Sequence, residues 1–478
     1  MNRKVLPITL LVLVLMVTLI VPAGAQSTTK QLSTNFTLVN LSSSSAQGVV
    51  HYWRPDGSAW RADESFTLDA NGGQVQYRQY FDNQLSAGQG SVVVEADQAV
   101  GAVVQIQARS QNPASTGAYS GITAGDGQYF VPLAARNRGT ASGLANSQIV
   151  VQNASASAAT DFAIDLVSGD GTIAYTKTGT IPANGSFSYD LALETNVASG
   201  WIGSAVVRAT TSGGQVTVVS NFFTGDALQT FNAFPASAPG MQWFVPQFNS
   251  RLPNTLSTVV TVQNLSGSAI AAGAISLNCK PLGAGSPFTK TNPDALGNSA
   301  SYSFNPVTDP SFPDNYEGAC IVNAPANVVA FVQLRFIATG EAGAYEAFKP
   351  GADKKLIVPL VAKRLPNGFS SVVTIQNQNE SAPANVTLNY TPSPTECPGC
   401  TPVSIPATIP AGGNLMQNHG IVAGNNSVPQ LPDGWNGSLV VTSDQPIVGF
   451  VQLRFRRDIN PALAGGDLYM AHNAFTQP

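Results

Sequence analysis

Apolar and polar positions alternate along most of this chain. The segment from Ala330 to Phe336 reads A-F-V-Q-L-R-F and places Val332, Leu334 and Phe336 on one face, with Gln333 and Arg335 on the other. Gly449 to Phe455, G-F-V-Q-L-R-F, repeats it almost letter for letter. A period of two with one polar face predicts an antiparallel strand half-buried on a core, its other face wet. Such runs are separated by turn signals, among them Pro55-Asp56-Gly57, Gly169-Asp170-Gly171, Asn184-Gly185, Gly412-Gly413 and Ser443-Asp444-Gln445-Pro446. No window of a dozen residues keeps a helical period outside the N-terminal apolar run, so the pattern predicts an all-β protein.

Three landmarks recur at the length of a domain. The first is a strand ending in asparagine, V-N-L-S or V-Q-N-x-S or a near match, with Asn40, Asn153, Asn264 and Asn377 at nearly equal intervals. Each interval is far longer than a solenoid repeat of about 20 to 50 residues, so the copies are tandem domains. The second is a glycine followed by Ser or Ala that opens an apolar strand, at Gly90, Gly203, Gly318 and Gly437. The third is a strand carrying Val-Pro: Phe130-Val131-Pro132-Leu133, Phe244-Val245-Pro246-Gln247 and Ile357-Val358-Pro359-Leu360. Proline in an apolar strand is tolerated mainly at an edge or a strand start, so this is read as an edge or sheet-switching strand. Seven or eight short strands in roughly 110 residues predict a two-sheet antiparallel β-sandwich of immunoglobulin or fibronectin-III type. The expected division is residues 26–128, 129–242, 243–355 and 356–478, four such domains.

The N-terminus differs in kind. Asn2, Arg3 and Lys4 precede an apolar run from Val5 to Val21 and then Pro22-Ala23-Gly24-Ala25, which reads as a signal peptide over residues 1–25, cleaved before Gln26. No second apolar span follows, so the mature chain is expected to be secreted, extracellular and associated with the cell surface.

Composition sharpens this. Charged residues are only 10% of the chain, against a usual ~25%, while 43% are hydrophobic. The shortfall is filled by Ser, Thr, Asn, Gln, Gly and Pro, which excludes a disordered polyampholyte and a coiled coil. A net charge of −4 spread thinly leaves no footprint for nucleic acid or anionic lipid. The four cysteines suit two local disulfides in an oxidising compartment, Cys279 with Cys320 and Cys397 with Cys400 in a C-P-G-C turn. The first would bridge the two sheets of copy three, a closure worth roughly 4 kcal/mol. Its counterparts in copy four are Tyr390 and Leu439.

The V-Q-N-x-S strands, with the D-G-W-x-G-S corner from Asp433 to Ser438, resemble those of exported bacterial cell-surface proteins built of tandem immunoglobulin-like repeats. The resemblance covers the whole mature chain. It implies non-catalytic extracellular architecture, whether adhesion, envelope or matrix scaffolding, or filament building, and supplies no catalytic residues.

Chemistry is sparse. His51, His419 and His472 sit in the first and last copies, none in a nucleophile-elbow context, and read as loop or strand-surface residues. Phosphate-loop, dinucleotide and zinc-protease motifs are missing. Asp63-Glu64 and the pair Glu341 and Glu346 read as solvated loop acids. No cofactor or metal is expected; calcium between domains is the one ion left open, without a D-x-D-x-D-G loop to hold it. Trp201, Tyr316 and Trp435 each stand two residues before a landmark glycine, where the first copy has Gly88. They read as rings packed over their own turn or as platforms for sugar rings.

The ends complete the reading. Copies two to four begin with a Val-Pro strand, but copy one begins after the polar Gln26 to Gln31. The string Lys4-Val5-Leu6-Pro7-Ile8 lies much further before Asn40 than Pro132, Pro246 and Pro359 lie before Asn153, Asn264 and Asn377, and is assigned to the signal peptide. One domain is therefore expected to lack a strand and to offer an edge that accepts a strand from elsewhere. The chain is read as a non-enzymatic structural or adhesive rod that self-associates or binds another cell-surface or matrix protein, with polysaccharide binding as the alternative.

Overall fold

The computed structural model describes residues 32–477 apart from 71, 109–113 and 284. The stretch read as a signal peptide lies outside the described residues. Strands dominate, and helix among the described residues amounts to two single 3-10 turns, Gln79–Phe81 and Leu191–Leu193. The first copy contains β1 (Ser33–Asn40), β2 (Ala46–Trp53), β3 (Glu64–Leu68), β4 (Gln74–Arg78), β5 (Ser91–Ala96), β6 (Val100–Gln107) and β7 (Thr116–Ser120). They form two antiparallel sheets, ordered β4-β1-β6-β7 and β3-β2-β5, around Phe36, Leu38, Val50, Tyr52, Phe66 and Leu68. The later copies repeat this plan, and each begins with a Val-Pro strand that has no counterpart in the first among the described residues. In the third, a single 21-residue strand, Tyr316–Phe336, pairs with Gly240–Ser250 and Ser276–Pro281 through its first half and with Leu256–Asn264 and Ala342–Glu346 through its second.

Each landmark has a physical reason. The recurring asparagine is buried in all four copies and ties the end of one sheet to the other. Asn264 Nδ2 donates to the carbonyls of Ser268 at 2.7 Å, Leu296 at 2.8 Å and Gly297 at 3.0 Å, while Oδ1 accepts from Ser266 N. Asn40, Asn153 and Asn377 make the same set. A primary amide is the one side chain of this size that donates twice and accepts at once. The landmark glycine is where a second strand crosses too close for a side chain. A Cβ would stand 2.1 Å from the Val167 carbonyl at Gly203, 2.1 Å from that of Lys280 at Gly318 and 2.1 Å from that of Thr391 at Gly437, and 2.2 Å from that of Trp53 at Gly90. The Val-Pro strands Gln128–Arg136, Gly240–Ser250 and Lys355–Ala362 run beside these glycines, and each ladder slips at its proline. The proline thus falls in a bulge, where no ladder N–H is required.

The expected rod does not form. One late strand of each copy, Thr116–Ser120, Ala227–Asn232, Ala342–Glu346 and Tyr469–Asn473, packs against two of the others in a closed circuit at the centre of the molecule. The apolar cores follow suit. One joins residues of the second and third copies to Val448, Phe450, Tyr469 and Ala471 of the fourth, and another joins the fourth to Ala114 and Ala118 of the first. The supposedly wet faces line this hub: Gln333 is 3% exposed and Gln452 6%.

The cysteines pair as expected, 279 with 320 and 397 with 400. The first pair is not a bridge between sheets. Cys279 and Cys320 stand directly opposite on neighbouring strands of one sheet, as Tyr390 and Leu439 do in the fourth copy.

If the asparagine corner holds the sheets together, Asn264→Asp places an acceptor against three carbonyls. Urea unfolding of this variant should show a loss of about 3 kcal/mol or more.

Candidate functional site

Two places in the molecule concentrate polar groups in a way the strand pattern alone does not require, the hub and the edge of β5. At one end of the hub the four strands finish in Ser120, Asn232, Glu346 and Asn473, and these residues close a ring of hydrogen bonds. Asn232 Nδ2 donates to Ser120 O at 2.8 Å, Ser120 Oγ to Asn473 O at 3.1 Å, Asn473 Nδ2 to Glu346 O at 2.9 Å, and Asn232 N to Glu346 Oε1 at 2.6 Å. At the other end Asp467, 1% exposed, accepts from Leu228 N at 2.9 Å, Ala342 N at 3.2 Å and Tyr469 N at 3.1 Å, while its own N–H donates to Ala114 O. One residue thus touches all four copies. Burial raises the Asp467 carboxyl well above the usual range, and raises Glu346 to about 7.

Glu341 and Glu346, read as solvated acids, both belong to the hub. Glu341 is 2% exposed and pairs with Arg454 at 2.5 Å. Neighbouring copies meet through Gln333 Nε2 donating to Gln229 Oε1 at 2.6 Å and through ring contacts, Phe231 tilted against Phe331 and Tyr345 stacked on Phe450, each pair with centroids 4.0 Å apart. Such contacts hold copies together; none sets a nucleophile beside a base. Two hollows of about 290 and 280 Å³, one beside Lys280, Pro281 and Pro410 and one beside Gln247, Met416 and Arg454, contain neither histidine nor cysteine.

The histidines separate. His51 is a partly exposed strand residue with Asp63 at 3.0 Å, matching expectation. His419 and His472 are instead buried. His419 Nδ1 lies 3.1 Å from Ser371 O and Nε2 3.1 Å from Tyr390 OH, and His472 Nδ1 lies 2.9 Å from Asn473 O. Burial lowers both to about 4. Nothing in their local sequence marks them, because each is enclosed by segments distant in the chain.

The aromatic corners are packed over their glycines. A Cβ on Gly437 would stand 2.8 Å from the Trp435 ring, and one on Gly203 2.7 Å from Trp201. Trp435 has no exposed surface, so neither face of it is open to a sugar; Tyr316 is 7% exposed against Phe288, and Trp201 is half-buried. In the first copy the ring comes from the connection between β2 and β3: Trp60 covers Gly90, 2.6 Å from the position of a Cβ. Sequence comparison by position misses it.

The edge of β5 is the remaining candidate. Trp201–Ala209, Tyr316–Phe336 and Asn436–Ser443 each lie between two strands, one of them the Val-Pro strand. Their counterpart β5 pairs with β2 and, among the described residues, with nothing on its other side. Asp97 N donates to Gln47 O across the β2 ladder, so by the period of two Val92, Val94 and Ala96 turn their N–H and C=O groups outward. The equivalents of Ala96 show what belongs there: Ala209 N donates to Gly127 O at 2.9 Å and Ser443 N to Lys354 O at 2.8 Å. Val92, Val93 and Val94 are only half-buried, whereas Ala205, Val206 and Val207 are buried.

No family model matches the chain, and no curated protein does. Among solved structures it is similar to the native conformation of E. coli alpha-2-macroglobulin, seen by cryo-EM, at 11% identity and a TM-score of 0.11. The match covers 93% of this chain and 28% of that one, and similarity of this degree carries no argument.

Two outcomes follow from the burial. Trp435→Ala should cost about 3 to 5 kcal/mol of stability, read as a lowered melting temperature. For His419 and His472 the folded pKa lies below the ordinary 6.5, so their contribution to stability is present above about 6.5 and is lost as pH falls towards about 4. His472→Gln should therefore flatten the stability profile between those limits by about 1.4 kcal/mol per pH unit relative to the parent. Glu346→Gln should act oppositely: the parent loses the stabilisation from a protonated Glu346 as pH rises through about 7, and the variant does not.

Proposed function

We propose that this chain is a non-enzymatic extracellular protein of four immunoglobulin-like β-sandwich domains, structural or adhesive in role, that associates through the open edge of β5. The observation that carries this reading is that edge: three outward N–H and C=O pairs on an apolar strand, in the one copy without a Val-Pro strand among the described residues. Backbone pairing at such an edge supplies affinity, and half-buried valines supply an apolar strip beside it. Both disulfides suit an oxidising extracellular environment, and among the described residues no helix is long and apolar enough to cross a membrane. The buried carboxylates and histidines support the non-catalytic part, since hydrogen bonds between copies already engage the carboxylates and hydrogen bonds within the fourth copy engage the histidines.

The chain begun at Gln26 should grow in mass with concentration in light scattering. A Val93→Lys and Ala96→Pro double variant, which adds a charge to the edge and deletes one outward N–H, should stay monomeric. A parent that is monomeric at every concentration removes the self-assembly reading.

A further inference from the structure

The sheet that holds β5 or its equivalent ends, on its far side, in β3 in the first copy and in Ile173–Ile181, Phe288–Thr291 and Val403–Ile409 in the others. Each of these strands pairs with a single neighbour among the described residues. Three of the edges are blunted: β3 has five residues and begins with Glu64, Phe288–Thr291 has four and carries Lys290, and Val403–Ile409 is interrupted by Pro406. Ile173–Ile181 is instead nine residues long, mostly exposed, free of proline and charged only at Lys177. Its backbone directions follow from the ladder behind it. Thr210 N donates to Asp161 O at 2.7 Å, on the other side of the neighbouring strand Thr160–Ser168. By the period of two, Phe162, Ile164 and Leu166 bond to the edge strand at Gly179, Lys177 and Tyr175, and Thr176, Thr178 and Thr180 turn their N–H and C=O groups outward. The fourth copy shows the same place closed. Pro406 stands opposite Thr387 as Thr178 stands opposite Ala163, so a proline there deletes the central outward N–H.

We propose that the occupant of the β5 edge is the strand Ile173–Ile181 of a second copy of this chain. The proposal rests on the reading of β5 as an accepting edge. Each strand offers three outward positions, Val92, Val94 and Ala96 on one and Thr176, Thr178 and Thr180 on the other, so antiparallel pairing that uses all of them has one register. It sets Val94 opposite Thr178, Val92 opposite Thr180 and Ala96 opposite Thr176. In that register the single charge of β5, Glu95, falls directly opposite the single charge of the second copy's strand, Lys177, and Val93 falls opposite Gly179. Directly opposed residues share one face of a sheet with about 4.5 to 5.5 Å between their Cβ atoms, within reach of a glutamate and a lysine. The Glu95 side chain is 76% exposed, with His51 Nε2 3.8 Å away, and Lys177 Nζ lies 5.9 Å from the centre of the Tyr189 ring. Because the two edges differ, the contact is head-to-tail: each molecule gives one strand and accepts one, and growth continues as a filament or closes as a ring.

The test uses two variants of the chain begun at Gln26, each blocked at one edge. Val93→Lys with Ala96→Pro closes β5, and Thr178→Pro closes the other edge as Pro406 does in the fourth copy. Each variant alone should stay monomeric in light scattering. An equimolar mixture should stop at a mixed dimer, since one open β5 and one open Ile173–Ile181 remain. Charge reversal, which leaves the backbone untouched, reads the register: Glu95→Lys or Lys177→Glu should weaken association by at least about tenfold, and both reversals in one chain should restore it. Growth of the Thr178→Pro chain by itself, with the β5-blocked chain monomeric, overturns this occupant and upholds the β5 edge. Growth of both blocked chains overturns the β5 reading as well. Reversals that leave association unchanged overturn the proposed pairing, and a parent monomeric at every concentration overturns a second copy as the occupant.

Discussion

Asp467 is where the four copies meet, and the constraint it expresses governs the molecule: every polar group enclosed when the copies close on one another needs a partner inside. Closure turns what would be the solvent face of a strand into interior. A backbone N–H or a side-chain amide left unpaired there costs about 1 to 3 kcal/mol, and an unpaired charge far more. Asp467 meets the requirement by accepting from Leu228, Ala342 and Tyr469 while its own N–H reaches Ala114. Glu341 meets it through Arg454, and Glu346 through Asn232. The rest of the hub uses neutral groups: Gln333 Nε2 donates to Gln229 Oε1, and neither amide brings a charge to desolvate.

The low charge of the chain takes on a different meaning from this. A surface rich in Ser, Thr, Asn and Gln looks at first like one left open to outside partners. In the structure many of these residues, among them Gln229, Gln247, Gln263 and Thr374, are buried and hydrogen-bonded across copies. They are the material from which copies are joined to each other, and lysine or glutamate in their places would carry a desolvation penalty at every joint.

The alternation of Ala330 to Phe336, the spacing of the four asparagines and the landmark glycines made the strands and the repeat legible from the sequence. The circuit they form was not. A period of two reports that one face of a strand is polar, and it does not distinguish water from a neighbouring copy, so Gln333 and Gln452 read as solvated. The same blindness hid His419, His472, Glu341 and Glu346, whose surroundings come from residues far away in the chain. Trp60 escaped because a ring over Gly90 can be supplied from any segment that passes near, here the connection between β2 and β3. For the Cys279 and Cys320 pair, spacing indicated that two strands meet but not whether they meet side by side or face to face.

The hub also explains how the first copy is held while, among the described residues, its β5 edge is open. Each copy is fastened by its hub strand, and β7 joins the circuit through Thr116 and Ser120, which donate to the carbonyls of Tyr469 and Asn473. The Val-Pro strand lies at the start of a copy; in the second and fourth copies it is in the sheet without the hub strand, and in the third it pairs mainly with the first half of Tyr316–Phe336 while the hub strand pairs with the second. Among the described residues no strand covers the β5 side of the first copy, and the circuit is whole without one. Soluble proteins usually blunt such an edge with lysine, proline or a bulge, yet from Ser91 to Ala96 this one reads S-V-V-V-E-A, with a single charge. An edge so placed can be filled or emptied without disturbing the centre, which is the property a regulated contact needs.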